Sequence, residues 1–323
     1  MVLFMKFHHL AWITTVVIGV QMVLAGVIVG EDAGLVCPSW PVCSNSDAIP
    51  VTGSLIFELV HRAVALLLGV LVIWLLVWML RSYRHNRAMI WTGVLGMLSL
   101  AIQIVYAGLI VLFVFPGTAS VVDVVNSMIM LSLFVHLSNL AEREYNLKQG
   151  ILSTVPDAES RSLTRIAWFL YAAGMIAVAA GAVFRHTGAS QALFGQDSYI
   201  RSHHQDTPPS QLLSHVLLDI HVATAVLLIV AGVLFASYAF ERKRFTKMAV
   251  LVVTLIVAEG LLGLASLAVR LELVVVTIHW AVSGLIMGVV AYVVSETYLA
   301  RKRLGSEHRR WTSAILSHSS KAR

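Results

Sequence analysis

The chain has 323 residues, 58% of them hydrophobic and 12% charged, with a formal net charge of +6. With a mean hydropathy of +0.83, this composition excludes a water-soluble globular domain and points to a polytopic membrane protein. The basic residues fall in short clusters between apolar runs, which is an orientation signal and not a nucleic-acid-binding patch.

Apolar runs long enough to span a bilayer lie near 9–30, 54–81, 88–115, 119–141, 165–184, 211–239, 246–269 and 272–299. They predict an all-α integral membrane fold of eight transmembrane helices. The first run is too long, and too poorly followed by a cleavage site, for a plain signal peptide. Lys and Arg cluster at RSYRHNR (81–87), at Arg143, Lys148, Arg161 and Arg165, at ERKRFTK (241–247) and at RKRLGSEHRR (301–310). Eight spans bring all four clusters to one side, which the positive-inside rule assigns to the cytoplasm, together with both termini. The opposite side receives the 31–53 loop, a turn near Pro116, the 185–210 loop and a turn near Arg270. Cys37 and Cys43, in CPSWPVC, are the chain's two cysteines and lie in that first outer loop. Outside the cytoplasm a disulfide persists, so this pair is expected to close a small ring.

The chain reads twice. GVIVGEDAG (26–34) pairs with GAVFRHTGA (181–189), ELVHRAVALLLGVLV (58–72) with LDIHVATAVLLIVAG (218–232), and QIVYAGLIV (103–111) with EGLLGLASL (259–267). Asp123 lies as far beyond Gln103 as His279 lies beyond Glu259. The expectation is two tandem four-helix bundles, 1–141 and 165–300, with a cytoplasmic linker at 142–164 and a basic tail at 301–323. Such bundles build cofactor sites from side chains on facing helices.

Of the 13 histidines, His8, His9, His85, His308 and His318 read as residues at cytoplasmic ends, and His186, His203 and His204 as outer-loop residues. His61, His136, His215, His221 and His279 lie within or beside spans. At a rise of about 1.5 Å per residue, His61 lies roughly 12 Å below the outer end of its helix, with His279 and His221 at similar depth. His136 falls at the inner end and His215 at the outer interface. Two imidazoles at one depth on facing helices suit axial ligation of a haem iron. The alternative, two buried histidines bonded to neighbours, is disfavoured because ionisable residues in a membrane usually serve function. In the first half His61 matches His221, and Asp123 stands where His279 would. Glu58 lies one turn before His61, on the same helix face. It suits a base, a proton relay or a cation stabiliser, or it merely pairs with Arg62 at i, i+4.

ELVHR, CPSWPVC, RHTG (185–188), His221 and His279 in a duplicated eight-helix chain resemble the haem A synthase family over about residues 10–298. The resemblance implies oxidation of the C8 methyl of haem o to the formyl group of haem a, destined for haem-copper oxidases. It implies Glu58 and His61 as the reactive pair, with His61 on the substrate iron and Arg62 and Asp123 beside that haem. It further implies His221 and His279 as haem b ligands and a Cys37–Cys43 disulfide. Implied partners are haem O synthase, oxidase assembly factors, membrane lipid and a second copy of the chain, with no nucleic acid. The implied location is the cell membrane of a prokaryote, with the haem sites toward the outer face. Two departures stand out: Asp123, or its neighbour Asn126, occupies the place of a family histidine, and GEDAG that of an Arg-x-Thr-Gly run. They make a non-catalytic haem-binding relative, acting in electron transfer or haem handling, the alternative reading. A transporter is a weaker third.

Overall fold

The structure, a computed structural model, describes residues 5–30, 34–43, 52–113, 117–150, 160–195, 209–271 and 273–320. The fold is α-helical, and eight of its helices are long and apolar enough to cross a membrane. They are α1 (Phe7–Gly30), α2 (Gly53–Ser82), α3 (Arg87–Phe113), α4 (Ala119–Lys148), α5 (Ser160–His186), α6 (Gln211–Glu241), α7 (Thr246–Ala268) and α8 (Leu273–Ser320). A single helical turn, Ala189–Ala192, follows α5. No strand occurs among the described residues.

Helix ends follow local chemistry. The Thr52 hydroxyl accepts from the Leu55 N–H at 3.3 Å and starts α2, and the Ser210 hydroxyl does the same for Leu213 at 3.2 Å and starts α6. Gly188, at φ 79°, stops α5 in the left-handed conformation that glycine adopts without steric cost. The turn predicted near Arg270 is present, with Arg270 and Leu271 both at positive φ. That predicted near Pro116 lies outside the described residues.

Two elements run further than hydropathy alone indicates. α4 continues through AEREYNLK to Lys148, seven residues into the expected linker, because these are good helix formers with Glu144 and Lys148 paired at 3.5 Å across one turn. α8 passes beyond its apolar segment as one continuous backbone helix to Ser320, so the expected tail is helical over 301–320. Of the linker, residues 151–159 lie outside the described residues.

Buried side chains form two clusters. Leu10, Ile18, Leu68, Met79, Met128 and Phe134 pack among α1–α4; Leu170, Phe235, Val252, Ile286 and Val293 pack among α5–α8. Within the first set α1 touches α2 and α4, and α3 touches α2 and α4; in the second α5 touches α6 and α8, and α7 touches α6 and α8. The sets meet through α1–α8, α4–α8 and α4–α5. Small residues permit close approach, as expected where helices pack without a hydrophobic driving force. A methyl at Gly96 would stand 2.8 Å from the Phe134 ring, and one at Gly174 2.7 Å from Met287 Sδ. Apolar residues on the outside, such as Leu66 at 72% and Leu264 at 68% exposure, are those a bilayer would cover.

At the end of the bundle carrying the basic clusters the two sets are clasped. Arg143 on α4 forks onto Glu296 on α8 at 2.6 and 3.0 Å; within the first set, the Trp12 indole of α1 donates to Glu142 of α4 at 2.9 Å. Toward the other end Trp280, next to His279, reaches α1 and donates to the Met22 carbonyl at 2.7 Å.

Candidate functional site

α2 and α6 each bring one histidine into their set, and the chain above each is folded inward. In the first set the covering element is the Cys37–Cys43 ring, closed by the expected disulfide. α2 holds this ring with the two charged groups of ELVHR. Glu58 Oε2 accepts from the Cys37 N–H at 2.8 Å, and Glu58 Oε1 is paired with Arg62 Nη2 at 2.5 Å. Arg62 also donates to the carbonyls of Ser39 at 2.6 Å, Cys37 at 3.1 Å and Pro41 at 3.3 Å. The ring's Trp40 lies on α3, 3.4 Å from where a Cβ of Gly108 would be. Glu58 is 3% exposed, so both oxygens of a buried carboxylate are spent on the ring and its anchor. The i, i+4 pair weighed from the sequence is therefore present, and it has a second task.

His61 sits one turn deeper than Glu58 and is partly buried. Asp123, on α4, is engaged elsewhere. Its Oδ1 accepts from Gln103 Nε2 at 2.6 Å, Gln103 Oε1 accepts from Asn126 at 2.7 Å, and Asn126 in turn exchanges hydrogen bonds with Ser99 at 2.9 Å. The two candidates for the missing histidine thus belong to one polar network between α3 and α4.

The second set is built differently. Its cover is the turn Ala189–Ala192, braced by Gln211 Nε2 on the Ala192 carbonyl at 2.7 Å. Below it His221 lies against Gly181 of α5, where a methyl would stand 2.8 Å from Cε1, and alongside the Phe184 ring at 6.3 Å. His279 lies against Gly263 of α7 at 3.3 Å from the equivalent point. The two imidazoles are within electrostatic reach of each other. Neither His221 Nδ1 nor His279 Nδ1 has an aligned hydrogen-bond partner, although both atoms are buried. His279 Nδ1 stands 3.2 Å from Glu259 Oε1. Two half-buried, incompletely partnered imidazoles seated on glycines are a donor set that would suit a haem iron. No three His, Cys, Asp or Glu side chains among the described residues converge as a bare-ion site.

The remaining span histidines are not drawn in. His136 bonds Ser295 at 2.7 Å and lines a cleft of about 380 Å³ with Arg87, Trp91 and Tyr298, between α3, α4 and α8. His215 is exposed. His186 follows Arg185 at the end of α5, and His203 and His204 lie outside the described residues.

No family model matches the chain. Among curated proteins it is 24% identical over 161 residues to a "Heme A synthase" of Bacillus mycoides (strain KBAB4), covering 50% of this chain and 48% of that protein. A "Heme A synthase" of Oceanobacillus iheyensis is 25% identical over 132 residues, 38% of this chain and 42% of the relative. One of Alkalihalophilus pseudofirmus is 31% identical over 108 residues, 33% and 35% respectively. These matches support the haem A synthase family. The chain spans about half or less of the length of the curated relatives it matches.

The glycine seat of His221 makes a direct test of the haem A synthase resemblance at this site. Gly181→Val places branched carbon where His221 Cε1 now lies, and a close-packed interior has no slack to absorb it. We expect the ring to be pushed off its position, and the low-spin haem absorbance of purified protein to fall by half or more. Gly19→Val serves as the control, since nothing lies within 4 Å of a Cβ at Gly19.

Proposed function

We propose that the chain is a haem A synthase of the cell membrane, which oxidises the C8 methyl of haem o to a formyl group. The observation that carries this is the unequal pair of histidine sites: two imidazoles on glycine seats in α5–α8, and one imidazole under a covalently closed ring in α1–α4. The first arrangement suits a fixed haem b held by His221 and His279, which supplies electron transfer when bound. The second suits a substrate haem o that enters and leaves, its iron taken by His61.

The conversion takes its oxygen from water and releases four electrons and four protons from the methyl carbon and that water, so it requires an electron acceptor outside the chain, a quinone or dioxygen, to which the electrons would pass. His61 would orient the macrocycle. Glu58, one turn nearer the ring, would receive a proton or balance charge once Cys37 or Arg62 releases one of its oxygens. Arg62 would meet a propionate on the same condition. The basic clusters support an orientation with both termini in the cytoplasm and the two covered sites toward the outer face.

A specific observation favours a second reading, the non-catalytic haem-binding relative. Asp123 is tied to Gln103, and both Glu58 oxygens are engaged. Co-expression with a haem O synthase, followed by pigment extraction from the purified protein, separates the two. Haem a in the extract supports the enzyme; haem b alone, with haem o present in the same membranes, supports the relative.

A further inference from the structure

Resting on the haem b reading above, we infer that Glu259 is a positioning residue for His279: its carboxylate takes the Nδ1 side of the ring, so that Nε2 is the nitrogen presented to iron. Glu259 lies on α7 and His279 on α8, with Nδ1 and Oε1 3.2 Å apart, within hydrogen-bond distance although the ring N–H is not aligned on the oxygen. Ser283, one turn beyond His279 on α8, donates its hydroxyl to the same Oε1. The chain Ser283–Glu259–His279 thus joins two helices at the depth of the ligand.

Three facts make this more than a chance approach. First, the Glu259 side chain is 13% exposed in the middle of an apolar span, where a carboxylate is costly unless it serves a partner. Second, the other oxygen, Oε2, has no hydrogen-bond partner, and no Lys or Arg pairs with Glu259 among the described residues. Among the described residues, His279 is the nitrogen-bearing side chain that Glu259 faces. Third, the matching pair in the first set has its chemistry exchanged. There the amide Gln103 donates to the acid Asp123 at 2.6 Å; here the acid faces the imidazole. Ser127 holds the place equivalent to Ser283 by the same spacing, yet its hydroxyl donates to its own helix, at the Val124 carbonyl. At the repeat-equivalent positions, therefore, the acid faces an imidazole in the second set and an amide in the first.

A carboxylate behind a metal-bound imidazole fixes its tautomer and raises its basicity. A more basic imidazole donates more density to iron and favours the ferric state. Glu259 accordingly sets both the hold on haem b and its reduction potential.

The test uses purified full-length protein carrying its co-purified haem b. Glu259→Gln keeps the size and removes the anionic acceptor. The expected results are a midpoint potential above that of the unaltered protein, and transfer of haem to excess apomyoglobin about 10-fold faster or more. Ser283→Ala should move both readouts in the same direction by less, and it supplies the measurement if Glu259→Gln does not accumulate. Unchanged potential and transfer rate in both variants would overturn the inference while leaving the haem b reading intact. Unaltered protein without a low-spin haem would overturn the haem b reading itself, and the inference with it.

Discussion

His221→Ala and His279→Ala are each expected to abolish the low-spin haem spectrum of the purified protein. On the proposed haem b reading, each substitution would remove one of the two protein donors to iron and give a high-spin spectrum. Neither hole refills easily. His221 rests on Gly181 and beside Phe184, neither of which offers a donor, and His279 rests on Gly263. Since even loss of a supporting residue costs metal sites about 10- to 100-fold in affinity, loss of a ligand should cost at least that, and the double variant should purify without haem b. His136→Ala and His215→Ala should keep the spectrum, because His136 is engaged with Ser295 and His215 is exposed. The assignment fails if both ligand variants retain unaltered low-spin bands.

The second large effect is expected at Glu58. Glu58→Ala strips Arg62 of its counter-charge and Cys37 N–H of its acceptor in one step. Breaking a buried ion pair from one side costs about 3–5 kcal/mol, and here that cost falls on the ring covering His61. Haem a formation should be abolished, while the low-spin haem b of α5–α8 persists, since no described contact links Glu58 to that set. A double variant, Glu58→Gln with Arg62→Met, removes both charges and with them the stranded cation. If it regains a stable ring but makes no haem a, the carboxylate acts on the substrate. If it makes haem a at the unaltered rate, Glu58 and Arg62 are a clamp and nothing more.

The eight spans were legible because each carries enough uninterrupted apolar sequence to outweigh every local ambiguity. The ends were less so: α4 runs on to Lys148 by propensity and a Glu144–Lys148 pair, and α8 runs on to Ser320, neither of which a hydropathy reading registers. His221 and His279 could be singled out by depth, a quantity that sequence spacing supplies directly. The grip of Arg62 on the ring could not, because its acceptors are main-chain carbonyls of Ser39, Pro41 and Cys37, and every residue has one. Glu259 does leave a signal in the sequence, beyond its place in the repeat. A single acid inside an apolar run, at the same spacing from His279 as Gln103 from Asp123, was already a reason to look for its partner. Trp280 gave none: its reach to Met22 depends on how α1 and α8 meet.

The Glu58–Arg62 pair also bears on how the chain is made. A lone Glu or Arg near a helix centre opposes entry into the bilayer by about 2.5–3.5 kcal/mol. Here the two charges share one face of one helix, a turn apart, so the apolar length of α2 ahead of Arg81 can leave the translocation machinery with no net charge before the cysteine ring has been oxidised. Folding of the loop then recruits charges that insertion has already delivered to the right depth. Moving either charge to a neighbouring helix would preserve the formal pairing of the finished protein, yet require two helices to insert as ions and find each other in lipid.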